Sequence, residues 1–346
     1  MQVADTWLDH LAAHGAHIHD ALRGDFGDPT AELRATASGE TIVTPLLHFA
    51  SLLFAGDDAS EFLHGQLTAD VRGLAINAVT LGGYCTAKGR MLANFWLGRE
   101  ATGLTMLLDA EIAPAIQKRL AMYVLRSKVK VANQRTTHCL LGLAGREASN
   151  YLGSLGLAEL PAHRKIVRTA TGDAWWCIAP HRYIGLVHTE HAAATWSTLT
   201  ATARPVGNAS WQWFDIAAGL PWIGARTQDE LVPQMINLEA IGGVSFTKGC
   251  YPGQEIVART QHLGKIKRRM FLAHLHTEAA PLPGEAIMGD DLGAQASGVV
   301  VNAAAAPEGG YDILAVMHTS TATGSSAHLR ALDGPALALR PLPYVI

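Results

Sequence analysis

Ser245-Phe246-Thr247-Lys248-Gly249-Cys250-Tyr251-Pro252-Gly253-Gln254-Glu255-Ile256-Val257-Ala258-Arg259 is the stretch on which the reading of this chain turns. Two glycines, Gly249 and Gly253, bracket a cysteine and let the backbone turn sharply or approach a ligand closely. Pro252-Gly253 followed by QEIVAR reads as a helix start, with Glu255 in the first turn, where a carboxylate is favoured. Cys250 then stands just before a helix N-terminus and two residues from Lys248, and both features favour the thiolate. The residues alone therefore suggest a reactive thiol on a turn. The alternative is a buried, inert cysteine, the commoner state of a single cysteine.

Outward from this stretch, the composition bounds the answer. The 346 residues carry 27 Lys+Arg against 30 Asp+Glu, a net charge of −3, so no global basic field exists to hold nucleic acid. At 49% hydrophobic and 16% charged the chain is globular in composition, with ample core-forming residues. The N-terminus lacks the basic and apolar regions of a secretory signal, and residues 41–56, which include Pro45 and His48, are too short and polar for a membrane span. A soluble, cytoplasmic protein without a membrane partner is expected. The cysteines Cys85, Cys139, Cys177 and Cys250 are widely and irregularly spaced, with no CxxC pair, so neither a bound metal nor a disulfide framework is expected. His14, His17 and His19 lack a companion ligand and read as a solvated helix face.

The pass along the chain gives mixed elements. Residues 1–40 read as a short amphipathic helix bearing Trp7, Leu8 and Leu11, then a polar tail broken by Gly24, Gly27, Pro29 and Gly39, the whole treated as an N-terminal extension. Strands are expected within 41–56 and a helix after Gly56-Asp57, followed by a hairpin turning at Lys88-Gly89-Arg90. TMLLDA then reads as a strand, EIAPAIQKRLAMYVL as a helix and SKVKVAN as a strand. Residues 137–205 repeat the mixture, and short β runs dominate after Met270. The fold class expected is α+β with an all-β terminal domain. The basic run Lys265-Ile266-Lys267-Arg268-Arg269 could meet an anionic ligand or partner, or be a solvated strand edge.

KGCYPGQE resembles the signature of the YgfZ family, a Lys-Gly-Cys, an aromatic, any residue, then Gly-Gln-Glu. Lys248, Gly249, Cys250, Tyr251, Gly253, Gln254 and Glu255 match it, and Arg259 follows. Further segments are similar to the family's own: Gly65-Gln66-Leu67-Thr68-Ala69-Asp70, Cys85-Thr86-Ala87-Lys88-Gly89-Arg90, Leu125-Arg126-Ser127-Lys128-Val129, Val232-Pro233-Gln234-Met235-Ile236-Asn237-Leu238 and Pro341-Leu342-Pro343-Tyr344. The resemblance runs from about residue 41 to the end.

It implies the architecture of the glycine-cleavage T-protein superfamily: two α+β domains, one discontinuous, and a C-terminal β-barrel around a central folate pocket. The corresponding segments are 41–60 with 135–260 for the discontinuous domain, 61–134 for the inserted one and 265–346 for the barrel. It also implies a folate-binding accessory role in synthesis or repair of Fe–S clusters in client enzymes, and hence in tRNA thiomethylation, with Cys250 as functional thiol. Mitochondrial relatives act in late 4Fe–4S assembly. The cofactor implied is tetrahydrofolate or a derivative, and the partners are Fe–S client or assembly proteins. Folate contacts carried over by position are Phe49, ahead of Gly56-Asp57, and Trp211, ahead of Ala218-Gly219-Leu220-Pro221; aromatic faces stack on a flat pterin.

Two departures stand out. The acidic residue that the T-protein places before Ala-Gly is Ala217 here, and Asp215 is the substitute if the segment alternates as a strand. The run Arg90-Met91-Leu92-Ala93-Asn94-Phe95 after Gly89 lacks the T-protein's catalytic aspartate, so aminomethyl transfer is not expected. A folate-dependent one-carbon transferase and a non-catalytic interaction protein with a vestigial folate pocket remain the alternatives, and direct nucleic-acid binding conflicts with the net charge.

Overall fold

The computed structural model describes residues 5–262 and 266–346, which divide into two units. Unit 1 comprises Met1–Phe62, Arg72–Thr80 and Trp96–Trp211; unit 2 comprises Leu63–Val71, Leu81–Phe95 and Gln212–Ile346. This division cuts the chain differently from the segments named above. The strands Ala78–Cys85 and Met91–Glu100 contribute residues to both units, as does the helix Asn208–Ala217.

In unit 1 a six-stranded sheet has the spatial order Ile166–Arg168, Ala174–Ala179, Arg182–His188, His138–Ala144, Ile42–Pro45, Arg204–Pro205. All neighbours are antiparallel except the last pair. Its strands follow the two-residue period of side chains. Val43, Leu141, Leu143, Trp175, Cys177, Tyr183 and Val187 form one buried set, covered by Trp196 and Leu199 of the helix Thr189–Thr200 and by Trp7 and Leu11 of the helix Asp5–Ala13. A second sheet orders Ala78–Cys85, Met91–Glu100, Gly103–Asp109, Phe49–Ala55 and Lys130–Asn133.

The helix expected at the N-terminus is present, but the polar tail after it is not a tail. Residues His17–Asp20 and Arg23–Asp25 pair as a hairpin, and Pro29–Ser38 is a helix. The residues read as breakers are its terminators. Asp28 caps it by accepting from the Ala31 N–H at 2.9 Å, Pro29 occupies the first turn, where its missing donor is not needed, and Gly39 closes it at φ +78°. His14, His17 and His19 do not form one helix face either. His17 and His19 lie on the hairpin, 3.6 and 2.5 Å from Asp25, while His14 Nδ1 lies 2.8 Å from the His10 carbonyl.

In unit 2 the terminal sheet orders Ala327–Leu329, Ala286–Gly289, Ala296–Ala305, Tyr311–His318, Arg268–Leu275 and Ala338–Arg340. It curls until its edges meet: Leu329 N–H donates to the Pro335 carbonyl and Leu337 N–H to that of Ala327, just before Ala338–Arg340 pairs with Arg268–Leu275. This is the β-barrel architecture expected, and it leaves few unpaired edges. Alternate residues face two cores. Ala273, Leu275, Ile313, Ala315 and Met317 pack on one side. Met270, Leu272, Leu314 and Val316 pack on the other, with Cys85, Met91, Ile236 and Leu238. No helix among the described residues is long and apolar enough to cross a membrane.

Candidate functional site

Cys250 lies exposed on the turn before the helix Gln254–His262, whereas Cys85, Cys139 and Cys177 are buried. Burial pushes the Cys85 and Cys139 thiols up to about 12, which keeps both protonated at neutral pH. The buried-cysteine alternative is therefore excluded for Cys250 and holds for the other three.

The turn is clamped from both sides. Upstream, the buried Lys248 sends its ammonium inward, donating to the carbonyls of His64 and, at 2.5 Å, of Leu67, with the Tyr251 ring centroid 5.0 Å away. Those carbonyls lie at and just beyond the end of the short helix Ala59–His64, where acceptors lack intrahelical partners and a cation is favoured. The ammonium expected to support a thiolate at Cys250 is thus committed to the backbone instead. Tyr251 is buried, and its phenol is pushed up by that burial and by Cys85 beside it.

Downstream, Gly253 sits at φ +81°, and a Cβ there would lie 2.4 Å from the Thr86 carbonyl oxygen and 2.6 Å from Gly89 Cα. Gly89, at φ +71°, turns the hairpin after Cys85 against Ile256 and the Gly253 carbonyl. The two glycine turns, far apart in sequence, therefore pack backbone to backbone, and only glycine permits that approach. Gln254 N–H closes the turn onto the Tyr251 carbonyl at 3.2 Å. Gly249, Glu255 and Arg259 are exposed, with Glu255 in the first helical turn as expected.

The folate candidates are more deeply placed. Phe49 is buried at the start of Phe49–Ala55, its ring 4.2 Å from that of His48. It lines a cavity of about 20 Å³ with Ser51, Arg135 and Cys139. That is room for about one water, whereas a bound heteroaromatic needs several hundred cubic ångströms, so a pterin reaches Phe49 only if these side chains rearrange. Trp211 is buried too. The Arg182 guanidinium carbon lies 4.5 Å from its ring centroid, and the ring packs so closely on Gly142 that a Cβ there would lie 2.5 Å from it.

Asp215 is on the helix Asn208–Ala217, not on a strand, so it does not share a face with Ala217 by alternation. Residues two apart on a helix point about 200° apart. The aromatic run WQWF carries a helical apolar period that the strand reading overlooked. Asp215 is buried and accepts from Trp222 Nε1 at 2.8 Å. A carboxylate acceptor suits a pterin's donating amino-pyrimidine edge, but the Trp211 face is already covered by Arg182 and Gly142, so a pterin stacks there only if Arg182 moves.

Asn94, in the run that lacks the T-protein's aspartate, is fully buried and spent on structure. Its Nδ2 donates to the Pro221 carbonyl at 2.7 Å and its Oδ1 accepts from Ile223 N–H at 2.8 Å. The basic run divides its work. Arg269 pairs with the Glu239 carboxylate and donates to the Gln234 carbonyl at 3.0 Å, while Lys267 and Arg268 line a cavity of about 400 Å³ with Val232, Met235, Thr260, Ile266 and His318. Lys265 lies outside the described residues.

Fold and turn together define a protein of the aminomethyltransferase T-protein fold that presents an exposed thiol on a fixed turn. The glycine-cleavage aminomethyltransferase T of Bartonella henselae superposes with a TM-score of 0.78 at 17% identity, covering 98% of this chain and 97% of that one, a likeness of fold. No family model matches the chain. The tRNA-modifying protein YgfZ of Edwardsiella ictaluri is 34% identical over 296 residues, 84% of this chain and 88% of its own length. That of Cronobacter sakazakii is 32% identical over 322 residues, 91% and 97%. The chain belongs to the YgfZ family.

Proposed function

We propose that this protein is a folate-binding accessory factor for the synthesis or repair of Fe–S clusters in client enzymes, acting through Cys250 and thereby supporting tRNA modification. The observation that carries the reading is the presentation of Cys250. The one exposed thiol among the described residues stands on a turn whose flanks are fixed by a buried lysine and by a glycine–glycine backbone contact. A rigid turn that spends conformational freedom to expose a thiol suits a group that must meet another molecule. Relatives named tRNA-modifying proteins support the link to tRNA, and a cytoplasmic location fits that link. Trp211 would supply the pterin's stacking face and Asp215 an acceptor for its edge.

The structural duty of Asn94 supports an accessory role over aminomethyl transfer, because no carboxylate stands in that run to move a proton. The test has two arms. Tetrahydrofolate titrated into the protein, followed by tryptophan fluorescence, should bind saturably and be weakened at least tenfold in Asp215→Asn, but not in Cys250→Ser. In a bacterium deleted for its own family member, Cys250→Ser should fail to restore tRNA thiomethylation that the wild-type chain restores. Absence of folate binding by the wild type would leave the interaction-protein reading in its place, and full rescue by Cys250→Ser would remove the thiol from the function.

A further inference from the structure

Unit 1 carries a side-chain cluster that neither the family signature nor the folate candidates account for. Asp173 stands at the start of the strand Ala174–Ala179, His188 ends the strand Arg182–His188, and His191 is in the first turn of the helix Thr189–Thr200. Hairpin pairing brings the first two together, since Ala174 is the register partner of Leu186. The turn from strand into helix then swings His191 onto the same carboxylate. His188 Nδ1 lies 2.9 Å from Asp173 Oδ1, and His191 Nδ1 lies 3.0 Å from Oδ2 and 3.1 Å from Oδ1.

We propose that Asp173, His188 and His191 form a binding site for a divalent transition metal ion of the zinc class. Two imidazole nitrogens and one carboxylate are a recurrent donor set for such ions, and imidazole selects them over magnesium or calcium. The three donor atoms lie within 4.8 Å of one another. Metal bonds of about 2.1 Å place neighbouring donors roughly 3.0–3.4 Å apart, so the two nitrogen–carboxylate separations need only a small outward adjustment.

The carboxylate is oriented from behind. Asp173 accepts the His188 backbone N–H at 2.9 Å and the Thr171 hydroxyl at 3.1 Å, contacts that fix the orientation of the carboxylate. His138, the register partner of His188 on the neighbouring strand, packs its ring 4.3 Å from that of His188 and restricts its rotation. The Asp173 side chain is 4% exposed while His188 and His191 are 37% and 29% exposed, so the site is anchored in the fold and open on one side for water or a further ligand.

A second triad, His274, Glu308 and Asp312, lies in unit 2. There Arg340 already stands 3.2 Å from Asp312, and Trp213 Nε1 donates to the same carboxylate at 2.9 Å. A guanidinium on the carboxylate repels a second cation, so this triad serves as the internal control.

The experiment uses the full, untagged chain with zinc as the probe, because a histidine tag would mask the site. Zinc bound after equilibrium dialysis against a competing chelator should be one ion per chain. His191→Ala removes a partly exposed side chain, and Asp173→Asn keeps the shape of the carboxylate. Each should weaken zinc at least about 10–100-fold, the loss seen even for outer ligands. His274→Ala should leave it unchanged. Cobalt substituted for zinc should give visible absorption that His191→Ala abolishes while its circular dichroism remains that of the wild type. No zinc retained by the wild type, or equal retention by wild type, His191→Ala and Asp173→Asn, overturns the proposal.

Discussion

Gly253→Ala is the change that most directly tests how the thiol turn is held. Gly253 has φ +81°, and an added Cβ would lie 2.4 Å from Thr86 O, 2.6 Å from Gly89 Cα and 2.7 Å from Gly89 N. The left-handed conformation alone costs an L-residue about 1–2 kcal/mol. The clash is additional, because its neighbours are backbone atoms of a tight hairpin rather than a side-chain end that can swing away. Moving that hairpin by about 1 Å is an overpacking of roughly 1–3 kcal/mol. The expected sum is about 2–5 kcal/mol, a large share of a typical folding free energy of roughly 5–15 kcal/mol.

Gly309→Ala isolates the first contribution. Gly309 is in the same unit at φ +95° and has nothing within 4 Å of its virtual Cβ, so it should cost only about 1–2 kcal/mol. Urea unfolding of both variants gives the difference, and the rate at which an aromatic disulfide reagent labels Cys250 reports the turn itself. A cost for Gly253→Ala equal to that for Gly309→Ala, with unaltered Cys250 labelling, would refute the backbone clamp.

Lys248→Met leaves the His64 and Leu67 carbonyls without the ammonium that now serves both, and should destabilise by about 2–4 kcal/mol. Lys248→Arg should not restore it, since a planar fork does not replace a compact ammonium between two carbonyls; urea midpoints at constant m-value decide both. His48 gives a pH signature. Burial, and secondarily Arg135, lower its pKa from 6.5 to about 3, and its ring nitrogens have no hydrogen-bond partner. Its contribution is therefore complete above pH 6.5 and is lost as pH falls toward 3, at up to about 1.4 kcal/mol per pH unit. Relative to His48→Leu, the wild type should lose stability as pH falls from 7 to 4.5; a difference that does not change with pH would show that His48 does not stay neutral.

The sequence by itself determined the features that depend on near neighbours. Pro252-Gly253 followed by QEIVAR gave the turn and the helix Gln254–His262, because a helix start is written in consecutive residues. The hairpin about Gly89, the helix Ala113–Tyr123 and the short strands after Met270 were legible for the same reason: periods of 2 and 3.6 and the placement of glycine are local. The reading failed where one signal has two meanings. Pro29 and Gly39 read as breakers, yet the same residues begin and end a helix, and only packing on the core chooses between them.

Tertiary structure alone decided what side chains meet. Lys248 lies two positions before Cys250, which suggested a paired charge, but the ammonium turned to carbonyls about 180 positions away. Desolvating a lysine is tolerated only where such acceptors await it. Asp173, His188 and His191 carry no diagnostic spacing, and a strand pairing and a helix start bring them together. Contacts of that kind depend on register and on the direction of a chain reversal, which are fixed by the whole fold and not by the residues alongside.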